Sequence, residues 1–159
     1  MSSPKLKNYT TIIPAERSIA EIEQLLLQFG AVSFFKQIDR ETKQFSGMVF
    51  VLRIEESQVP YRLQANVKKV QEYIYKEYRS KTSRPKKSKE DFAADAYKIA
   101  WRLMKDWVHS QLSIIATEMV KTEEVFLPYM MIDNKSTFYD KFASGTFKKM
   151  LPEFKTNGE

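Results

Sequence analysis

The sequence predicts an α+β domain: a small, mostly antiparallel sheet packed by helices, with a helical C-terminal half. Short β-branched and aromatic runs fill much of the first half, and two of them flank a polar turn at Asp39–Gln44. Beyond Ala65, apolar residues recur at intervals of three and four instead. The predicted order is β-α-β-β-β-α-α-α. Residues 1–79 form the α+β portion, 80–89 a basic linker, and 90–159 a helical portion that packs back on it as one domain.

Each element has its own signal. "KNYTTIIP" reads as a first strand, β-branched and closed by Pro14. In "RSIAEIEQLLLQFG", Ser18 and Glu21 form an S-x-x-E capping box and Gly30 ends the helix. "AVSFFKQI" and "GMVFVLRI" follow as strands, and "VPYRL" is a shorter one that Pro60 assigns to an edge. "ANVKKVQEYIYKEYR" is a helix with Val67, Val70, Ile74 and Tyr78 inward, cations outward and Tyr73 at the rim. "SKTSRPKKSK" has no periodicity and is expected to be a mobile linker. Ser88 with Asp91 then opens a long helix that runs to about Thr117. A short interrupted helix in "TEEVFLPYMM" and an amphipathic one in "STFYDKFASGTFKKML" complete the chain.

The totals narrow the function. There is no cysteine, which excludes disulfides and thiolate chemistry, and one histidine, which excludes a multi-histidine metal site. No apolar run suits a signal peptide or a membrane span, so a soluble cytoplasmic protein is expected. The net charge of +6 is concentrated: residues 68–89 hold nine Lys/Arg and two Glu, so the rest of the chain sums to −1. That points to one electropositive patch.

The long helix carries a second group of cations. Both tryptophans, Trp101 and Trp107, lie on its broad apolar arc and are assigned to packing. Lys98, Arg102, Lys105 and His109 fall at i, i+4, i+7 and i+11 on the remaining arc, beside Asp95 and Asp106. Such a ridge is either a solvated face with local ion pairs or a surface that tracks phosphates.

Catalytic motifs are absent: no phosphate-cradling glycine loop, no H-E-x-x-H, no G-x-S-x-G. No cofactor and no metal is expected. "SGMVFVLR" matches an RNA-recognition-motif signature only at Gly47, Phe50 and Val51, and it lacks the ring-stacking aromatics. The helix–strand–strand–strand–helix run from Ser18 to Arg79 has the order of a double-stranded-RNA-binding domain, with Lys68 and Lys69 at the start of the closing helix. The loop "DRETKQFSG" lacks that family's GPxH. The stretches "YTTIIPAERSIAEIEQLL", "VPYRLQANVKKV" and "AWRLMKDWVHSQLSIIATEMVKTEEVFLPYMM", together spanning Asn8 to Met131, resemble a family of small uncharacterised proteins encoded by phages, prophages and other mobile elements. The resemblance implies a setting, the bacterial host cytoplasm, and carries no site residue with it.

These readings converge on a non-enzymatic, largely sequence-independent nucleic-acid-binding accessory protein. Its expected contacts are Lys68, Lys69, Tyr73, Lys76 and Arg79 on the helix, Arg84, Lys86 and Lys87 in the linker, and Lys98, Arg102 and Lys105 on the ridge. Tyr75 is a further stacking candidate. The alternative is a protein-binding modulator, such as a phage inhibitor of a host enzyme or defence complex. It would act through Val125–Met131 and the tail aromatics Phe138, Tyr139, Phe142 and Phe147.

Overall fold

A computed structural model describes residues 5–145. Helix α1 (Ala15–Phe29) is followed by three strands, β1 (Ala31–Ile38), β2 (Phe45–Ile54) and β3 (Ser57–Gln64). Next come α2 (Val67–Lys81), a 3₁₀ turn at Glu90–Phe92 and the long α3 (Ala93–Ala116). Then follow α4 (Thr122–Phe126), a 3₁₀ turn at Leu127–Tyr129 and α5 (Phe138–Ala143). The fold is α+β, with a three-stranded antiparallel sheet in the order β1-β2-β3.

The first expected strand does not form. Residues 7–10 are a turn, closed by the Thr11 amide donating to the Asn8 carbonyl at 3.0 Å. Ile12 is 89% exposed, and Asn8 adopts φ 62°. β-branched residues favour a strand only where a partner strand is within reach. Here Lys7 and Asn8 are tied instead to Asp106 of α3, at 3.0 and 2.9 Å.

The start of α1 is also corrected. The helix begins at Ala15 with Pro14 in the N-cap position, four residues before the expected Ser18 cap. Pro14 fits there because the first helical turn needs no amide hydrogens from it. Ser18 is therefore inside the helix, fully buried, and its hydroxyl has no hydrogen-bond partner among the described residues. The expected end is correct: Gly30 takes φ 112°, a left-handed conformation that side-chain-bearing residues rarely adopt, and donates to Leu26 and Leu27.

β2 is the central strand, buried on both faces from Gly47 to Leu52. This explains the partial RNA-recognition match: Met48 and Phe50 are fully buried core residues, not a stacking platform. A Cβ at Gly47 would lie 2.8 Å from both Gln37 Oε1 and the Leu63 carbonyl, so only glycine fits between the neighbouring strands. The main core joins α1 (Ile19, Ile22, Leu26), the sheet (Met48, Phe50, Tyr61, Leu63) and α3 (Trp101, Val108, Leu112).

α3 packs against α1 on one side and α2 on the other. That matches its broad apolar arc. Trp101, 1% exposed, fills the centre and donates Nε1–H to the Phe45 carbonyl at 3.1 Å. Phe126 is fully buried edge-on to Phe50, Tyr61 and Trp107, and Tyr129 packs on Trp107. The chain then runs along the β3 edge, where Met130 bridges to Tyr61 and the Met131 amide donates to Pro60 at 2.8 Å. Arg62 anchors it further, donating to the Lys135 carbonyl and to Asp140. Among the described residues, no helix is long and apolar enough to cross a membrane.

Candidate nucleic-acid interface

The expected site separates into two parts. On α2, the Asn66 side chain caps the helix by accepting from the Lys69 amide at 3.2 Å. The register set from there places Lys68, Lys69, Lys76 and Arg79 on the outer side, all exposed. At 100° per residue they span an arc of about 100°, shared with a single acid, Glu72. Lys69 and Lys89 reach that acid at 3.3 and 3.5 Å. These cations hold its carboxyl below the usual range, the hydrogen bond from Lys69 contributing most.

The linker does not lie as a free strand. The Lys86 and Lys87 amides both donate to the Tyr78 hydroxyl, at 3.0 and 3.3 Å. Gln71 donates to the Lys89 carbonyl at 2.8 Å, and the Lys87 ammonium sits 5.7 Å from the Phe92 ring centre. The segment thus folds back along α2, with Arg84, Lys86 and Lys87 all exposed. Among the described residues, no carboxylate lies within ion-pair distance of Lys68, Lys76, Arg79, Arg84, Lys86 or Lys87.

On the α3 ridge the local ion pair of a solvated face forms at Lys98, whereas Arg102 and Lys105 turn to α1. Arg102 and Lys105 are only 18% and 16% exposed and face α1, where Glu21 accepts from Arg102 at 2.7 Å and lies 3.9 Å from Lys105. Lys105 also meets Asp106 at 3.6 Å, and Lys98 pairs with Asp95 at 3.4 Å. Among the described residues, neither Arg102 nor His109 forms an ion pair with Asp106, which Lys7 and Lys105 reach instead. Partial burial pushes the Glu21 carboxyl up, but the hydrogen bond and charge of Arg102, with Arg17 and Lys105, pull it further down, below its ordinary value. Asp106 is likewise raised by burial and lowered more strongly by Asn8, Lys7 and Lys105. A phosphate approaching this groove would meet Glu21 between the two cations.

The stacking tyrosines are also committed. Tyr75 packs on Phe92 with ring centres 6.0 Å apart, and half-buried Tyr73 belongs to the same small core around Ile74 and Ile99. The apolar Val125–Met131 stretch, expected as a possible docking surface, spends Phe126, Tyr129 and Met130 on the core, leaving only Leu127 substantially exposed among its large residues. Of the tail aromatics, Tyr139 is exposed, Phe138 and Phe142 are half-buried, and Phe147 lies outside the described residues. Among the described residues, no cluster of three or more potential ligands suits a metal ion. Comparison with known proteins finds no matching family model, no matching curated sequence and no matching solved structure.

Proposed function

We propose that the protein is a non-enzymatic nucleic-acid-binding accessory protein acting through α2 and the linker folded against it, in the bacterial cytoplasm during replication of a mobile element. One observation carries this reading: α2 and the linker that folds back along it carry six exposed cations without ion-pair partners among the described residues. Unpaired surface cations gain most when they displace counterions from phosphates. Because four of these six side chains are lysines, which offer point charges and not bidentate base contacts, binding is largely sequence-independent.

The test is a salt titration with a mixed-sequence oligonucleotide. Replacing Lys68, Lys76, Arg79 and Lys86 by glutamine should flatten the slope of log K against log salt by roughly three units, at about 0.7–0.9 per phosphate contact. Replacing Arg102 and Lys105 should leave that slope unchanged. An unaltered slope in the first variant would overturn the assignment. So would a preference above about a hundredfold for one duplex sequence, roughly 2.7 kcal/mol.

A further inference from the structure

A cleft of about 340 Å³ opens at the start of the basic arc, between the β1–β2 turn, the ends of β2 and β3, and the first turns of α2. Its size falls at the lower end of small-ligand sites, about 300–1,000 Å³. Phe45, Val67 and Ala93 give it an apolar lining, and its polar groups are side-chain amides, the hydroxyls of Thr42 and Ser46, the Asp39 carboxylate and the Lys68 ammonium. Among the described residues, the side chains of Gln44 and Gln64 make no hydrogen bond, and Asn66 uses only its Oδ1. Asp39 is fixed at the rim: its Oδ1 accepts from the Glu41 amide, the Thr42 amide and the Thr42 hydroxyl at 2.8–3.1 Å. Its other oxygen is left as an acceptor. Bonding from Thr42 above all, with smaller help from Glu41 and Lys68, keeps this carboxyl ionised below its usual range despite partial desolvation.

This lining suits a flat, hydrogen-bonding ring and not a phosphate. Among the described residues, the only cation in the lining is Lys68, which is also the first cation of the basic arc. A strand whose phosphates follow α2 would therefore carry a base over the cleft. In a duplex that base is stacked and its pairing edge is occupied, so only an unpaired base can enter. A carboxylate acceptor favours bases with an exocyclic amino group, as carboxylates do at cytosine N4.

We propose that the protein binds single-stranded nucleic acid with one unpaired, amino-bearing base seated in the cleft between the β1–β2 turn and α2. This rests on the nucleic-acid reading above and adds the strand state and the base chemistry. The test measures affinity for short homopolymeric strands of cytosine and of thymine or uracil, as DNA and as RNA, beside a duplex of equal length. The single strand should bind more tightly than the duplex, and cytosine more tightly than thymine or uracil by about tenfold, one good base contact. Asp39→Asn keeps an oxygen for the turn and replaces the free acceptor by a donor. It should abolish or reverse the base preference while leaving the melting temperature of the protein unchanged.

Duplex binding as tight as single-strand binding would overturn the cleft assignment and leave the basic surface standing. A base preference that Asp39→Asn does not alter would do the same. Should Asp39→Asn lower the melting temperature, Gln64→Leu at the exposed rim is the second variant, and its unchanged affinity for cytosine strands would count against the cleft. Failure of every nucleic acid to bind at low salt would remove both readings together.

Discussion

The α2 face and the α3 ridge carry the same residue types at similar helical spacing, and the fold puts them to different uses. On α2 the opposite side of the helix is packed and the basic arc looks outward, with Glu72 as its single internal acid. On α3 two sides are packed, because α1 and α2 flank it, and the cations lie in the groove that α1 closes. Glu21 of α1 meets them there. A row of lysine and arginine on a helix is therefore a free surface or an inter-helix clamp according to what the neighbouring helix presents. Half-buried cations are tolerated only with such a partner.

The largest test of this contrast lies beneath the ridge. Trp101→Ala should cost roughly 3–5 kcal/mol in chemical denaturation, since it empties the centre of the core and orphans the Phe45 carbonyl. A variant as stable as the parent would mean that α3 is not the central helix, and its cations would then have no reason to be clamped.

Next in size is the clamp itself. Arg102→Gln should destabilise by about 1–2 kcal/mol, between an exposed pair and a charge-assisted hydrogen bond out of solvent. Lys76→Gln or Arg79→Gln on the exposed arc should stay within about 0.5 kcal/mol. Glu21→Gln should cost a similar amount to Arg102→Gln, and the double variant less than the sum of the two, because both remove one interaction. The pH dependence has a definite sign. The Glu21 carboxyl titrates lower when folded than its ordinary 4.5, so its contribution is fully present above that value and is lost as pH falls through the folded value. Acid unfolding of Glu21→Gln should therefore be flatter below about pH 4.5 than that of the parent. Additive single and double variants, or parallel acid profiles, would place Arg102 back among the free cations.

Much of this architecture is readable from local pattern, and the clamp is not. β1 falls on the expected Ala31–Ile38 because its hairpin partner is close in sequence and the turn between them is fixed by Asp39. α2 exposes the expected cations because its amphipathic period is unambiguous. The Arg102–Glu21 contact joins residues 81 positions apart, and no periodicity on either helix reveals which face of α1 meets which face of α3. The first strand failed for a related reason: "TTII" has the propensity, but the segment that would pair with it is not beside it, and Asp106 holds the preceding residues elsewhere. The cleft could be glimpsed only as scattered amides, since Gln44, Gln64 and Asn66 come from three different elements.

The smallest expected effect bears on why Glu21 is free to clamp at all. A capping box would have Ser18 outside the helix, its hydroxyl accepting from the Glu21 amide, and the Glu21 carboxylate turned back to the Ser18 amide. In that arrangement the carboxylate would be spent at the end of α1, and Arg102 and Lys105 would lack their partner. The structure instead starts α1 at Ala15, has the Ser18 amide donate to the Pro14 carbonyl at 3.3 Å, and leaves the Glu21 carboxylate pointing to α3. The two arrangements predict opposite signs for one substitution. Loss of an N-cap serine costs about 1 kcal/mol, whereas removing a buried hydroxyl that has no partner, in favour of the best helix former, should stabilise by roughly 0.5–1.5 kcal/mol. Ser18→Ala should therefore raise the unfolding midpoint in urea without changing the slope of the transition. A lowered midpoint would restore Ser18 to the cap, detach Glu21 from Arg102, and make the α3 ridge as free to meet phosphate as the face of α2.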